Sequence, residues 1–297
     1  MKGLSVLIPT YNDVCTTLVK ALVEQLQHSA VHEHYEVLVA DDGSRDQDVI
    51  QKNREINAYA SCRYIERSQN VGRAAIRNFL AQTAQYDYLL FIDADMTIIT
   101  PHFIKQYLDA IQTEDKVIYG GYTVTREVKG NLRNRYELAS LPQHTYLQRQ
   151  KNPYNDFHTS NFLIPRTLML AHPFDERFVY YGYEDVFFGK TLLKHAIQIQ
   201  HINNPLAFDT FEDNPAFVSK TQEGINTLYQ FRDDLEGYSG LLHIANRLSR
   251  YHLLPLLAKI YTRMGAPLKR YLEQGGCNLH IFKVYKLLYI STLFQHR

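Results

Sequence analysis

Apolar positions recur along this chain in two alternating rhythms. Leu4-Ser5-Val6-Leu7-Ile8 is a short, nearly unbroken apolar run stopped by Pro9, and Val14, Leu18, Leu22, Val23 and Leu26 follow at spacings of three and four. The first pattern predicts a buried strand and the second one face of a helix. Glu36-Val37-Leu38-Val39-Ala40 then runs into Asp41-Asp42-Gly43-Ser44, a second strand ending in acids and a turn glycine. Arg63-Tyr64-Ile65 leads into Asn70-Val71-Gly72-Arg73 and a helical run from Ala74 to Ala84, and Tyr88 to Ile92 is a fourth strand. Strands alternating with helices predict an α/β fold with a mainly parallel sheet covered on both faces. In such sheets ligands bind beyond the carboxyl ends of the strands. Pro9 to Tyr11, Asp41-Asp42, Arg73 and Asp93 to Asp95 all fall there.

The last of these clusters carries the sharpest chemistry. In Phe91-Ile92-Asp93-Ala94-Asp95, side chains alternate faces, so Asp93 and Asp95 point the same way. Two such carboxylates either form a polar turn after a core strand or bind a hard cation. Mn²⁺ or Mg²⁺ takes oxygen ligands and shares them with substrate phosphates. No Gly-x-Gly-x-x-Gly or phosphate-loop pattern follows the first strand, which disfavours dinucleotide and ATP chemistry of those kinds.

These motifs carry a resemblance. LSVLIPTYN at 4–12, DDGS at 41–44, NVGRAAIRN at 70–78 and DAD at 93–95 together resemble a family 2 glycosyltransferase of GT-A fold across roughly the first 110 residues. Phe174-Asp175-Glu176 and Gly182-Tyr183-Glu184-Asp185-Val186-Phe187-Phe188-Gly189 are similar to the acceptor-side segment of chondroitin-polymerase-type and galactosyltransferase-type enzymes. The resemblance implies that Pro9 and Tyr11 line the nucleotide base, where an aromatic ring stacks. It implies that Asp42 accepts a hydrogen bond from base or ribose, that Arg73 faces the diphosphate, that Asp95 ligates the metal and that Asp93 contacts ribose or metal. Asp185 becomes the base that deprotonates the acceptor hydroxyl and Glu184 a holder of acceptor hydroxyls. Tyr183 and Asn161 would also contact the acceptor. Structural readings stand beside these. Asp-Asp-Gly-Ser is an ordinary turn and helix-capping signal, Arg77 serves phosphate or an internal ion pair, and Glu184-Asp185 suits the positive end of a helix from Val186 to His195. One departure is visible. Where relatives place a histidine after a second-half strand, this chain has Asn204-Pro205-Leu206-Ala207-Phe208-Asp209, so Asp209 or a water completes the metal shell.

Composition and charge refine the picture. At 297 residues with 45% hydrophobic content, the chain can bury one large domain and a smaller appendage. Cys15, Cys62 and Cys277 are odd in number and show no metal spacing, which predicts reduced thiols in a cytoplasmic enzyme. The start reads directly into a strand rather than a signal peptide, and no apolar run approaches the ~20 residues of a membrane span. Charge is uneven. From Leu241 to Arg297 nine Lys/Arg face Glu273 alone, leaving residues 1–240 near −7 against a whole-chain net of +1. Leucines, isoleucines and tyrosines interleave with these cations through Leu253 to Tyr261 and Ile281 to Phe294. That pattern predicts a basic amphipathic tail, either docked on an anionic membrane surface or packed on the catalytic domain. No nucleic-acid-binding motif accompanies it.

The expectation is therefore a GT-A domain over 1–237 and a basic helical tail over 238–297. It would be an inverting, metal-dependent glycosyltransferase using a nucleotide-diphosphate sugar, most simply a UDP-sugar, at the cytoplasmic face of the plasma membrane. The acceptor would be a glycan or lipid-linked hydroxyl in polysaccharide synthesis. Two rivals remain: a catalytically silent carbohydrate-binding relative, and a nucleotidyltransferase, which gives Glu184-Asp185 no role.

Overall fold

The computed structural model describes residues 3–112 and 115–295. Along the chain run β1 (Leu4–Thr10), α1 (Thr16–Gln27), β2 (Tyr35–Asp41), α2 (Gln47–Arg54), β3 (Cys62–Glu66), α3 (Arg73–Thr83), β4 (Tyr88–Ile92) and β5 (Met96–Thr97). Then come α4 (Phe103–Ala110), β6 (Lys116–Tyr119), β7 (Tyr122–Thr123), α5 (Leu132–Ser140), α6 (Tyr146–Arg149), β8 (Asn161–Pro165), α7 (Arg166–Ala171) and α8 (Glu184–Lys194). The remainder is β9 (Gln198–His201), β10 (Leu206–Phe208), α9 (Asn214–Gln230), α10 (Gly240–Arg250), α11 (Leu254–Glu273) and α12 (Leu279–Leu293).

Two compact units emerge. The first takes Met1–Thr125, Pro142–Val179 and Phe188–Thr210. Its main sheet has the order β3-β2-β1-β4-β8-β6-β9. β3, β2, β1 and β4 are mutually parallel, β6 and β9 are parallel, and β8 alone runs against both its neighbours. The mixed α/β sheet follows the expectation from the strand–helix alternation, and the reversed β8 supplies its antiparallel element. β1 and β2 read as near-continuous apolar runs because helices cover both faces. Their two polar interruptions pair with each other: Ser5 Oγ donates to Glu36 Oε1 at 2.6 Å, and the Gln85 amide donates to that same oxygen. The core beneath is aromatic, with Phe91 stacked on Phe162 (centroids 4.8 Å apart) and Phe174 on Phe188 (4.2 Å). A small sheet of order β5-β10-β7 completes this unit.

The second unit takes Arg126–Leu141, Tyr180–Phe187 and Phe211–Arg297, of which 296–297 lie outside the described residues. The expected boundary at 237/238 falls inside it and is corrected. α9 lies upstream of that boundary but packs against α11 and α12. Leu132 of α5 and Phe217 and Val218 of α9 bury against Leu272, Phe282 and Tyr285. A tail whose apolar residues close the same core as α5 and α9 cannot be cut away at residue 238 without opening that core. Side-chain caps start its helices: Asn131 on α5, Asp213 on α9, Ser239 on α10 and Asn278 on α12. Each is worth about 1 kcal/mol. Helix α8 begins in this unit and continues into the first.

Candidate active site

Three parallel strands deliver the acids to one edge of the first unit. β1 pairs with β2 through Thr10↔Asp41, but its pairing with β4 stops at Leu7↔Phe91. Pro9 therefore sits where β1 has outrun β4, a place where a missing N–H leaves no ladder bond unmade. Beyond it Tyr11 is 40% exposed. Asn12 takes a left-handed conformation (φ 56°) and stitches two loops. Its amide donates to Ser44 Oγ at 2.7 Å, and its side-chain oxygen accepts from the amides of Arg45 and Asp46.

The acidic pair after β2 organises the neighbouring loop. Asp41 accepts the Ser44 amide (2.6 Å) and the Tyr64 hydroxyl. Asp42 accepts the amides of Val71 (2.9 Å) and Gly72 (3.0 Å), fixing the turn that opens α3. Burial pushes the Asp42 carboxyl above the usual carboxylate range, against the pull of those two amides. Asp42, expected at the base or ribose, is thus held first as a clasp between loops, with lone pairs left on both oxygens. Two glycines permit this approach. Gly43 (φ 75°) and Gly72 (φ 90°) lie in the left-handed region, and a Cβ would come within 2.7 Å of the Asn70 amide in one case and 2.6 Å of the Val179 carbonyl in the other.

Asp93 and Asp95 are positioned differently. The Asp93 amide donates to the Ser160 carbonyl, and its carboxylate meets the buried Arg77 guanidinium at 2.6 Å. Arg77 therefore makes the internal ion pair. Asp95 is half-buried and carries its proton up to about pH 7. Desolvation is the main cause, the charges of Asp93 and Asp13 add to it, and Arg73 opposes it. Arg73, exposed at the first turn of α3, thus lies within electrostatic reach of Asp95. Asp13 was not anticipated. Its signal was available, since it follows β1 by three residues at the edge where the other acids gather.

The fit to a divalent cation follows from this donor set. Asp95, crowded by Asp93 and Asp13, is the group whose charged form a cation would restore. Among the described residues no three His, Cys, Asp or Glu side chains form a ready-made metal cage. Asp209, one of two options for the third ligand, accepts the Thr125 amide at 2.9 Å and the Thr125 hydroxyl. The residues present suit an ion held by one or two carboxylates and completed by substrate phosphate and water, as Mg²⁺ commonly is.

Asn161 is corrected. It is fully buried, its side-chain oxygen accepts the Tyr107 hydroxyl at 2.7 Å, and its nitrogen donates to the carbonyls of Gly121 and Asn204. With every donor and one acceptor position spent inside the core, it pins β8 and offers nothing to an acceptor.

Of the acceptor-side segment, Tyr180–Phe187 belongs to the second unit, whereas Phe174-Asp175-Glu176 and Phe188-Gly189 belong to the first. Glu223 accepts the Tyr181 amide and Thr227 donates to the Tyr181 carbonyl, so the segment is docked on α9. Gly182 (φ 95°) and Tyr183 (φ 71°) are both left-handed, an unfavourable backbone for tyrosine, and such strain clusters at working sites. Burial pushes the Tyr183 phenol up to about 12. Tyr183 is half-buried, and Tyr180, 63% exposed, presents its ring to solvent. Glu184 is buried and Asp185 half-buried in the first turn of α8, where the helix end favours their negative charge. Asp185 Oδ1 accepts the Val186 amide at 2.7 Å.

Comparison with known proteins agrees with this architecture. A chondroitin synthase of Escherichia coli is 23% identical over 239 residues, 69% of this chain and 34% of that enzyme. A hyaluronan synthase of Pasteurella multocida is 26% identical over the same share of this chain and 24% of its own length. The chain thus spans about a third or less of these relatives. Among solved structures, the mannosyltransferase PcManGT from Pyrobaculum calidifontis in complex with GDP-Man and Mn²⁺ superposes with a TM-score of 0.58 at 13% identity, covering 100% of this chain and 88% of that one. The fold is therefore that of glycosyltransferases. The sequence profile of Glycosyl transferase family 2 matches residues 5–171, more than half of the molecule, and the chain belongs to that family.

Proposed function

We propose that this glycosyltransferase moves a sugar from a UDP-type nucleotide donor to a hydroxyl of a glycan or lipid-linked acceptor, with inversion at the anomeric carbon, at the cytoplasmic face of a membrane. The observation that carries this reading is the gathering of Asp13, Asp93, Asp95 and Arg73 at one sheet edge beside the exposed ring of Tyr11. Tyr11 stacks on the base, and Asp42 accepts from base or ribose with the lone pairs its loop amides leave. Asp95, with the Asp93 oxygen not bonded to Arg77, would hold a divalent cation, which would supply charge neutralisation to the departing diphosphate. Arg73 adds positive charge on the same side. Asp185 takes the proton from the acceptor hydroxyl as its oxygen bonds to the anomeric carbon. The bond to the diphosphate oxygen breaks, and its electron pair leaves with UDP. Displacement from the opposite face gives inversion, and Glu184 orients the acceptor.

A catalytically silent, carbohydrate-binding reading draws on one feature: Asp209 stands where a histidine ligand was expected and is tied to Thr125. The test is a panel of nucleotide sugars with purified protein and Mn²⁺, reading nucleotide release. Release from one donor supports catalysis, and binding without release from any donor supports the silent reading. Asp185→Asn is expected to lower transfer by about 10²–10⁴-fold, the usual contribution of a general base, with donor affinity kept. Parallel loss of affinity and turnover would remove Asp185 from that role.

A further inference from the structure

The second unit carries an apolar face that its own core does not use. On α11, Leu254, Ala258, Gly265 and Leu272 turn inward. Leu253, Leu256, Ile260, Met264, Pro267 and Tyr271, three or four residues apart, form a separate exposed stripe running the length of the helix. Leu256 is 57% exposed, a large loss for a leucine in water. The preceding helix continues the pattern: Ile244 is exposed on α10, and Tyr251 just beyond it is 66% exposed.

Charge decides what covers this stripe. Lys259, Arg263 and Arg270 recur at intervals of four and seven, so they line one edge of it, and α10 adds Arg247 and Arg250, both exposed. No acid occurs from Tyr238 to Leu272, and Glu273 is engaged by Lys269 at 3.7 Å. A protein partner of mixed charge would leave these cations without counter-charges, whereas an anionic bilayer supplies them along the whole edge. Long cationic side chains also reach up to headgroups while their stems stay against apolar surface. Among the described residues no helix is long and apolar enough to cross a membrane. An amphipathic helix of this kind lies in the interface rather than spanning it.

We infer that the α10–α11 face of the second unit docks on an anionic phospholipid surface, with the stripe from Leu253 to Tyr271 entering the headgroup boundary and Lys259, Arg263 and Arg270 meeting lipid phosphates. This gives the membrane location in the proposed function a surface, and it does not depend on sugar transfer, since that surface is assigned no part in donor or acceptor binding.

Co-sedimentation of the full chain with vesicles of phosphatidylcholine, alone or mixed with phosphatidylglycerol, tests it. Binding to the mixed vesicles that weakens with salt is expected. The triple change Lys259→Gln, Arg263→Gln, Arg270→Gln should lower partitioning on the order of 100-fold, at roughly fivefold per cation near the surface. Leu256→Ser with Ile260→Ser should also lower it with the cations intact. All these positions are exposed, so both variants should melt as the parent does and keep its nucleotide release in solution. Failure of sugar transfer in the parent would leave the vesicle result standing. Equal binding to both vesicle types, or undiminished binding by the triple variant, overturns the inference. So does a dimer in sedimentation velocity that Leu256→Ser with Ile260→Ser dissociates while vesicles are ignored, since the stripe would then cover a second copy.

Discussion

Asp93 and Asp95 leave the same strand one residue apart, yet their surroundings differ. Asp93 is held by a guanidinium that is 1% exposed, whereas Asp95 keeps a proton to about pH 7. Their substitutions should therefore separate. Removing one partner of a buried ion pair costs about 3–5 kcal/mol, so Arg77→Met is expected to lower the denaturant midpoint markedly. Asp95→Asn removes a repelled charge and should leave that midpoint unchanged or higher. It should instead weaken Mn²⁺-dependent UDP binding, measured calorimetrically, by more than the roughly tenfold that loss of even an outer partner of a metal site brings. A weakened fold in Asp95→Asn with unchanged UDP affinity would place it outside the ion's ligands. The period of two along a strand was enough to put both acids on one side. It could not assign Arg77, because that depends on how α3 rolls against the sheet, with the Arg77 guanidinium also over the Phe174 ring at 5.7 Å. Asn161 was misread for the same reason: its partners Tyr107, Gly121 and Asn204 are each at least 40 positions away.

At the scale of elements, the repeating strand–helix units of the first hundred residues were legible because their periodicities are local. The short pieces were not. Helix α6 has four residues, too few to hold itself together. It persists because buried Arg149 donates to the carbonyls of His144, Gly120 and Ile202 and, through Nε, to His201 Nδ1 at 3.2 Å. His201, at the end of β9, in turn contacts the Pro153 carbonyl through Nε2 at 3.0 Å. With Nδ1 accepting, the ring must be neutral, and burial together with Arg149 holds its pKa down at about 4. An unfolded chain regains the ordinary value of 6.5 and binds that proton first. Stability attributable to His201 is therefore complete above pH 6.5 and falls as pH drops toward 4, by on the order of 3 kcal/mol over the window. Urea titrations at pH 7 and pH 5 should show the decline. In His201→Gln the slope should be shallower but not flat, because His144 is shifted the same way. An identical slope in the variant would mean that His201 is already charged in the fold.

Across the whole molecule, the chain order of the two units is interleaved, and this is where a reading along the sequence had least purchase. The charge contrast marked the last sixty residues as distinct, with the expected boundary at 237/238. Yet the helices beyond it bury Leu272, Phe282 and Tyr285 against Leu132 of α5 and Phe217 and Val218 of α9, which precede it. Those inward positions and the exposed stripe of α11 occupy separate faces, so packing and surface binding, read from the sequence as alternatives, do not compete for the same residues. The packing makes a sharp prediction about truncation. A chain ending at residue 237 keeps α5 and α9 but strips the apolar cover from Leu132, Phe217 and Val218, which are at most 4% exposed in the complete chain. At roughly 1.5–3 kcal/mol for each large apolar side chain returned to water, that loss is comparable to the whole stability of a typical domain. Truncation at 237 is expected to give aggregated protein, or protein whose second unit lacks a cooperative melt, whereas the full chain melts cooperatively. A soluble 1–237 fragment with an unchanged transition would show instead that the tail is an appendage, and that α5 and α9 find their cover elsewhere.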